Sequence, residues 1–138
     1  MTQAVQTFLE NYEAALAKGD STLITSLYAD SFMFADPSSS VRVVERTAFA
    51  AMLPKRTDFF ATVGLQKTKL GEVHEQLLSE GYHLVLMTWT MHFKKAGKLI
   101  QSVNKATYIL AEQDGQLYIV FQLDHQNLMQ RVRELGLL

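Results

Sequence analysis

The amino-acid sequence predicts an α+β fold in which a strongly curved sheet folds around helices and encloses one apolar pocket. Three observations lead to this prediction. Apolar residues recur at helical spacing near the N terminus, strand-like segments follow one another from residue 65 to residue 125, and two turn motifs divide those segments into a meander. Helices that come first and strands that follow favour an α+β fold over alternating α/β topology.

Composition indicates a single globular domain over residues 1–138. Hydrophobic residues make up 48% of the chain and charged residues 20%, so a core can form without disulfides or metal. The net charge of −1 provides no basic field for a polyanion, so neither nucleic acid nor membrane is expected as a partner. The absence of cysteine excludes thiol catalysis. No signal peptide or apolar span is apparent, and a cytoplasmic protein is therefore expected.

The first part of the chain predicts three helices and one short strand. The first helix is predicted over Gln3–Lys18, followed by Gly19 after its end and Asp20 as the N-cap of a short second helix. The expected buried side of that second helix consists of Leu23, Leu27 and Tyr28. A brief strand is predicted from Phe32 to Ala35, closed by Asp36-Pro37, with a serine loop over residues 38–40.

The third helix is expected to begin with Thr47 as its cap. Pro54 should break or kink it, and Thr57 can restart a turn that contains Phe59 and Phe60. A last helix is predicted over residues 126–135.

Two turn motifs give the register of the predicted strands. Closure of one hairpin around Ala96-Gly97 pairs Trp89 with Asn104. Closure of the next around Asp114-Gly115 pairs Asn104 with His125. Both hairpins then place one apolar set on a common inner face: Val85, Met87, Trp89, Met91, Phe93, Ile100, Ala106, Tyr108, Leu110, Leu117, Ile119, Phe121 and Leu123.

Asn104 and His125 are the polar residues predicted to interrupt this inner face, beside Trp89. They either satisfy each other or a water by hydrogen bonding, or they form part of a ligand site. The opposite face mixes apolar and polar groups, which suits a homodimer interface. Its predicted members are Tyr82, Leu84, Leu86, Thr88, Thr90, Gln101, Val103, Lys105 and Thr107.

A family resemblance rests on three stretches near the N terminus. They are Tyr12 to Asp20 (YEAALAKGD), Leu27 to Asp30 (LYAD) and Phe34 to Pro37 (FADP). Together they resemble the opening of ketosteroid isomerase, a member of the nuclear transport factor 2-like superfamily that also includes the SnoaL-like cyclases. The resemblance implies a cone-shaped antiparallel sheet wrapped around N-terminal helices, a cystatin-like α+β barrel with a short C-terminal helix.

The same resemblance implies roles for individual residues. Tyr12 falls where the isomerase has its oxyanion-hole tyrosine, and Asp36 falls where it has its catalytic base. The isomerase has a second acid on an inward-facing strand position, where this chain has Asn104, or Lys105 if the strand shifts by one residue. Because that acid is missing, steroid isomerisation itself is not expected.

Two functions remain open on these residues. In the first, Asp36 has a pKa raised by Phe34 and Phe59 and abstracts a proton beside a carbonyl, Tyr12 and Asn104 bind the resulting oxyanion, and His125 replaces or assists the base. The reaction class would be isomerisation, cyclisation or dehydration of a small apolar carbonyl compound. In the second, the protein is a non-catalytic ligand-binding or dimerisation module, with Asp36 as a turn residue and Tyr12 as core.

The predicted ligand-binding wall consists of Trp89, Met87, Phe59, Tyr108 and Phe121. No cofactor motif is present, and the histidines at positions 74, 83 and 92 lack carboxylate partners at metal-ligand spacing, so neither cofactor nor metal is expected.

Overall fold

The computed structural model describes all residues from Met1 to Leu138. Its elements in chain order are α1 (Gln3–Lys18), α2 (Ser21–Ser26), β1 (Tyr28–Asp36), β2 (Ser39–Glu45), α3 (Arg46–Thr62), β3 (Leu65–Ser79), β4 (Tyr82–Lys95), β5 (Lys98–Gln113), β6 (Gln116–Asp124) and α4 (Leu128–Glu134). The six strands form one sheet in the order β2-β1-β6-β5-β4-β3. The strands pair antiparallel except for β1 and β6, which are parallel. The predicted α+β class, with a curved sheet and a short C-terminal helix, is confirmed.

Helix α1 has the predicted bounds and ends for the predicted reason. Gly19 adopts a left-handed conformation with φ of 62°, which a glycine reaches without steric cost. The Asp20 side chain then accepts a hydrogen bond from Leu23 N and so caps α2. The apolar side of α1, which includes Val5, Leu9 and Tyr12, is buried against the sheet.

The prediction for the buried side of α2 is wrong. The helix ends at Ser26, its buried residues are Ile24 and Thr25, and Leu23 is 37% exposed. Tyr28 lies in β1, which begins four residues before the predicted strand. The peptide carbonyl of Leu27 accepts a hydrogen bond from Ile119 N, so pairing with β6 draws this segment into the sheet.

The segment from residue 38 to residue 62 also differs from the prediction. Ser39 and Ser40 belong to β2, which pairs with β1, and only the preceding residues form the turn. Helix α3 begins at Arg46 rather than after a Thr47 cap, and it continues through Pro54 to Thr62. Proline removes one helical hydrogen bond there without ending the helix.

The β4–β5 hairpin has the predicted register. Ala96 and Gly97 both have positive φ, 51° and 78°, as a tight two-residue hairpin turn requires. Trp89 pairs with Asn104, and the exposed fraction of Asn104 is 4%, whereas Lys105 is exposed. Asn104 is therefore the inward-facing residue of the two.

The β5–β6 hairpin begins as predicted and then departs from the prediction. Leu110 pairs with Ile119, but Ile109 pairs with Phe121, so Val120 is an extra residue in β6. Such a bulge moves every later side chain of the strand to the opposite face. Tyr108 consequently pairs with Gln122 rather than with Phe121.

Two clusters of buried apolar side chains form the core. The main cluster joins α1, α2 and α3 to the sheet and includes Val5, Tyr28, Trp89 and Tyr108. The second cluster joins the end of α3 to α4 and includes Phe60, Phe93 and Val132. Helix α3 is the longest helix with 17 residues, and none of the four has the length and hydropathy needed to cross a bilayer.

Candidate active site

Two adjoining chambers lie between the helices and the inner face of the sheet. The large chamber measures about 430 Å³ and the small chamber about 160 Å³. Six residues line both chambers: Tyr12, Leu16, Ile24, Leu53, Arg56 and Gln122. Because the chambers share this boundary, one elongated molecule can contact both.

The walls of the large chamber are mainly aromatic. Phe32 and Phe49 pack against Tyr28 with ring centroids 4.6 Å away in both cases. Phe34 belongs to the same wall, and the guanidinium of Arg42 lies 4.8 Å from its ring centroid. This part of the cavity therefore suits an apolar, flat molecule.

The small chamber has a different wall, built from β4, β5 and the C-terminal segment. Trp89 and Tyr108 line it, and Trp89 Nε1 donates a hydrogen bond of 2.9 Å to Tyr108 Oη. Gln126 and Leu128 cover it from the C-terminal side. Of the predicted ligand-binding residues, Trp89 and Tyr108 are therefore brought to the cavity.

The other predicted ligand-binding residues lie elsewhere. Met87 is buried in the main core cluster and lines neither chamber. Phe59 packs against the second cluster beside Phe60. Phe121 pairs with Ile109, beyond the Val120 bulge, so its side chain lies on the outer face of the sheet.

The Val120 bulge also corrects the prediction for His125. Its Nε2 atom lies 2.7 Å from Thr107 Oγ1 on the outer face, and its backbone N–H donates to Lys105 O rather than pairing with Asn104. His125 is therefore not available to act as a base inside the cavity.

The bulge brings two polar residues inward that the sequence analysis missed, Gln122 and Asp124. Both are 8% exposed. They alternate with Phe121 and Leu123, so a regular strand would have them on the outside. Regular alternation favours Phe121 and Leu123 on the inner face, so the sequence pattern argues against the bulge and offers no signal for it.

Gln122 and Asp124 belong to a chain of four hydrogen-bonded side chains. Gln122 Nε2 donates to Asp124 Oδ1 over 2.9 Å, and Gln122 Oε1 accepts from Tyr28 Oη over 2.5 Å. Since Tyr28 uses its only proton in this way, the 2.7 Å bond between the Tyr12 and Tyr28 hydroxyls has Tyr12 as the donor. The Tyr12 oxygen is left with acceptor capacity at the boundary of the two chambers.

Burial controls the ionisation of these hydrogen-bonded side chains and of the neighbouring Tyr108. Loss of solvation raises the pKa of Tyr12, and it raises the pKa values of Tyr28 and Tyr108 still further. Burial also raises the pKa of Asp124, although the hydrogen bond from Gln122 and the charge of Arg56 oppose it. The three tyrosines therefore stay protonated at neutral pH, where they serve as hydrogen-bonding groups rather than as bases.

Asn104 has an incomplete set of hydrogen bonds. Its Oδ1 atom accepts from Ser102 Oγ over 2.9 Å, but its Nδ2 atom is buried and has no partner. Asn104 lines the small chamber. A buried amide donor without an acceptor costs about 1–3 kcal/mol, so an acceptor that reached it would be bound favourably.

Asp36 lines the large chamber together with Tyr12, but its pKa is not raised as the sequence analysis expected. Partial burial acts to raise the pKa, and hydrogen bonds from Ser38 and Ser39 outweigh it, so that the pKa of Asp36 is lowered. Its Oδ1 atom accepts from Ser38 N at 2.9 Å, Ser38 Oγ at 2.7 Å and Ser39 Oγ at 3.0 Å. This is the turn geometry that the alternative interpretation of Asp36 described.

Comparison with protein families decides where this fold belongs. A family model described as NTF2-like protein (DUF6841) matches residues 1–127. The chain belongs to this NTF2-like family. The resemblance drawn from the N-terminal motifs is therefore confirmed. No functionally curated protein matches the sequence.

Solved structures agree with the family at the level of the fold. An NTF2-like protein with a cystatin-like fold from Novosphingobium aromaticivorans superposes with a TM-score of 0.75 at 12% identity, over 90% of this chain and 80% of that one. The protein Aln2 from a Streptomyces species gives 0.75 at 14%, over 95% and 93%. A ketosteroid isomerase-like protein from Erwinia carotovora atroseptica gives 0.65 at 12%, over 88% and 92%. At these identities the likeness extends to the fold alone.

Proposed function

We propose that this NTF2-like protein binds a small, largely apolar molecule in its two chambers and holds a carbonyl-type oxygen of that molecule with Asn104. The observation that carries the proposal is the buried Asn104 Nδ2 atom, which has no partner and belongs to the wall of the small chamber. Native proteins pair nearly all buried polar groups, so a ligand acceptor is the natural partner.

The aromatic wall of the large chamber supports an apolar body for the same molecule. Tyr28, Phe32 and Phe49 offer ring faces and edges to it and few polar atoms. Tyr12 lines both chambers, and its oxygen has a lone pair beyond its contacts with the Tyr28 and Tyr108 hydroxyls, so a hydroxyl group on the ligand can donate to it. Few polar groups in an otherwise apolar cavity are typical of small-molecule sites.

The test uses Trp89, the only tryptophan of the chain, as a fluorescent reporter in the wall of the small chamber. Titration with aryl and cyclic ketones should change its emission at lower concentration than titration with hydrocarbons of the same skeleton. Asn104→Leu should weaken ketone binding about tenfold, which corresponds to about 1.4 kcal/mol, and should leave hydrocarbon binding unchanged.

A matched control is Gln101→Leu, on the same strand but exposed on its outer face. This substitution should leave ketone binding unchanged. Equal loss in the Asn104 and Gln101 variants, or equal affinity of wild type for ketones and hydrocarbons, would contradict the proposal.

A second candidate function is proton transfer beside the carbonyl of the bound molecule, as in an isomerase, cyclase or dehydratase. It is favoured by the position of Asp36, which lines the same chamber as Tyr12. The lowered pKa keeps the carboxylate ionised at neutral pH but makes it a weaker base.

Deuterium exchange at the carbon beside a ketone carbonyl, followed by NMR in D₂O, measures this reaction directly. Wild type should accelerate exchange of a ketone that binds, and Asp36→Asn should lose most of the acceleration while binding the ketone as before. No acceleration by wild type, or the same acceleration by Asp36→Asn, would contradict proton transfer by Asp36. Non-catalytic binding would then be the only proposed function that remains.

The outer face of β4 and β5 is proposed as the site where a second copy of the chain packs. Leu86 and Val103 are 44% and 51% exposed there, among largely uncharged neighbours. An exposed apolar sheet face of this kind is typical of subunit interfaces. Sedimentation at micromolar concentration should give a dimer that Val103→Lys dissociates, and a wild-type monomer would contradict the interface.

A further inference from the structure

The cations of the cavity wall are more numerous than its carboxylates. The whole chain has 13 basic and 14 acidic residues, so an excess of cations at one place is a local property. The two chambers together are lined by three basic residues, Arg42, Arg56 and Lys105, and by one acidic residue, Asp36. The small chamber has no acidic residue in its wall.

Only one of these cations is free at the boundary of both chambers. Lys105 is exposed, and Arg42 donates to Ser39 Oγ over 2.8 Å and covers the Phe34 ring. Arg56 is half-buried, forms no ion pair within 4.0 Å and donates no hydrogen bond to the protein. Its guanidinium carbon lies 5.4 Å from the centroid of the Phe60 ring, which holds it without satisfying its donors.

The two acids that could compete for Arg56 each accept hydrogen bonds from other residues. Asp124 lies within electrostatic reach of Arg56, but its Oδ1 atom accepts from Gln122 and the residue lines neither chamber. Asp36 accepts three hydrogen bonds from its own turn. Arg56 is thus a partly desolvated cation for which the folded chain supplies no ion-pair partner within 4.0 Å.

We infer that the molecule bound in the chambers is an apolar carboxylic acid, with its carboxylate between Arg56 and Asn104 Nδ2. Both groups line the small chamber, and both are donors without acceptors. A planar carboxylate matches the fork of a guanidinium with two parallel hydrogen bonds. A single negative charge is also less costly to desolvate than a phosphate dianion. This inference rests on the proposed binding function and narrows its carbonyl-type oxygen to a carboxylate oxygen.

The experiment compares acids with their own neutral esters on the full-length protein. Phenylacetate, 4-phenylbutyrate and decanoate, each with its methyl ester, are titrated into wild type by calorimetry at neutral pH. The acid of at least one pair should bind about tenfold more tightly than its ester, a factor that corresponds to about 1.4 kcal/mol. Arg56→Gln should abolish that preference by weakening the acid alone.

Two further variants test whether the preference for the acid depends on Arg56 itself or on any nearby positive charge. Lys55→Gln removes the adjacent, exposed cation of α3 and should keep the full preference for the acid. Arg56→Lys keeps the positive charge but lacks the two parallel donors of the guanidinium, so it should retain only part of the preference for the acid over its ester. All three variants should melt at the same temperature as wild type, which would show that the differences in binding are not caused by unfolding.

The outcomes distinguish this inference from the function on which it rests. Two results would contradict the inference that the ligand is a carboxylic acid bound by Arg56: esters that bind as well as their acids, or an Arg56→Gln variant that weakens acid and ester binding equally. Neither result would contradict the proposed binding of a small apolar molecule. Binding of neither acids nor esters at millimolar concentration, together with no ketone binding, would overturn both.

Discussion

Asp36 and Asp124 are two carboxylates in opposite surroundings: Asp36 lines the large chamber, and Asp124 is buried on the inner face of the sheet without lining either chamber. Asp36 lies at the end of β1, where a serine turn donates three hydrogen bonds to one of its oxygens. Asp124 lies on the inner wall of β6, where a single amide donates to it. The pKa of the first is lowered and that of the second is raised.

The comparison shows what decides the ionisation of a carboxyl group in this protein. Both groups are partly desolvated, which on its own raises a carboxyl pKa. Donors at the turn outnumber those on the wall, and the wall group is much more deeply buried. The rim of the cavity therefore carries a permanent charge, while the wall charge is destabilised by its surroundings.

The largest expected effect comes from interrupting the polar chain on the wall. Tyr28→Phe removes the hydroxyl that joins Tyr12 to Gln122 and leaves both without that partner. The free energy of unfolding should fall by roughly 2–4 kcal/mol, the cost of two buried groups left unsatisfied. Urea unfolding followed by circular dichroism measures it.

Tyr82→Phe is the control for Tyr28→Phe, because Tyr82 is half exposed at the start of β4. It should change the free energy of unfolding by less than about 0.5 kcal/mol, as is usual for surface substitutions. If Tyr28→Phe lowered the free energy of unfolding by less than about 1 kcal/mol, the hydrogen bonds of Tyr28 would contribute little to stability.

Asp124→Asn should change how stability depends on pH. The pKa of Asp124 is higher in the folded than in the unfolded chain, so the folded state binds more protons between the two values. Its contribution to the free energy of unfolding therefore falls as pH rises from about the ordinary value of 3.8 through the folded pKa. The variant should lack this fall.

At neutral pH the net change in Asp124→Asn should stay within about 1 kcal/mol, because the lost charged hydrogen bond and the relieved desolvation offset each other. Urea unfolding at a series of pH values gives both quantities. A variant whose stability follows wild type in parallel across the acid range would show that Asp124 has no raised pKa.

The smallest effect is expected for Asp36→Asn, and its sign is opposite. A lowered pKa stabilises the folded chain above the unfolded value of 3.8, and this contribution is lost as pH falls through the folded pKa. The variant should be less stable at neutral pH by under about 1 kcal/mol, since solvent screens this partly exposed group. The difference from wild type should vanish in acid.

Asp58→Asn is the matched control for Asp36→Asn, because Asp58 is exposed on α3 and its side chain accepts no hydrogen bond from the protein. It should not change the pH dependence. A stability difference in Asp36→Asn that grows toward acid would contradict the role of the serine donors.

The predictable parts of this fold are those that local chemistry decides. Gly19 and Asp20 mark the junction of α1 and α2 through glycine conformation and capping, and both were correctly placed. The turn at Ala96-Gly97 determines the β4–β5 register, which in turn places Trp89 opposite Asn104. The N-terminal motifs indicated the family because they too contain local turn and cap residues, such as Gly19, Asp20 and Asp36-Pro37.

The parts that failed depend on tertiary pairing. Ser39 and Ser40 have the composition of a loop, yet they pair with β1 because that strand needs a partner on its free edge. The Val120 bulge leaves no local mark. It moves Phe121 and His125 to the outer face of the sheet and brings Gln122 and Asp124 to the inner face, where Gln122 lines both chambers. Of the four predicted polar groups, Tyr12, Asn104 and Asp36 line the chambers, and the fourth lies on the other face.

The chain from Tyr12 to Asp124 also has a direction. With Asp124 ionised, each group donates toward the carboxylate or accepts from the cavity side, and Tyr12 presents a lone pair to the ligand. If Asp124 takes up a proton, Gln122 can rotate its amide and both tyrosine hydroxyls can turn, so that every bond runs the other way. Tyr12 then presents an O–H. One proton on Asp124 would therefore change Tyr12 from a hydrogen-bond acceptor to a donor toward the cavity, with no movement of the backbone.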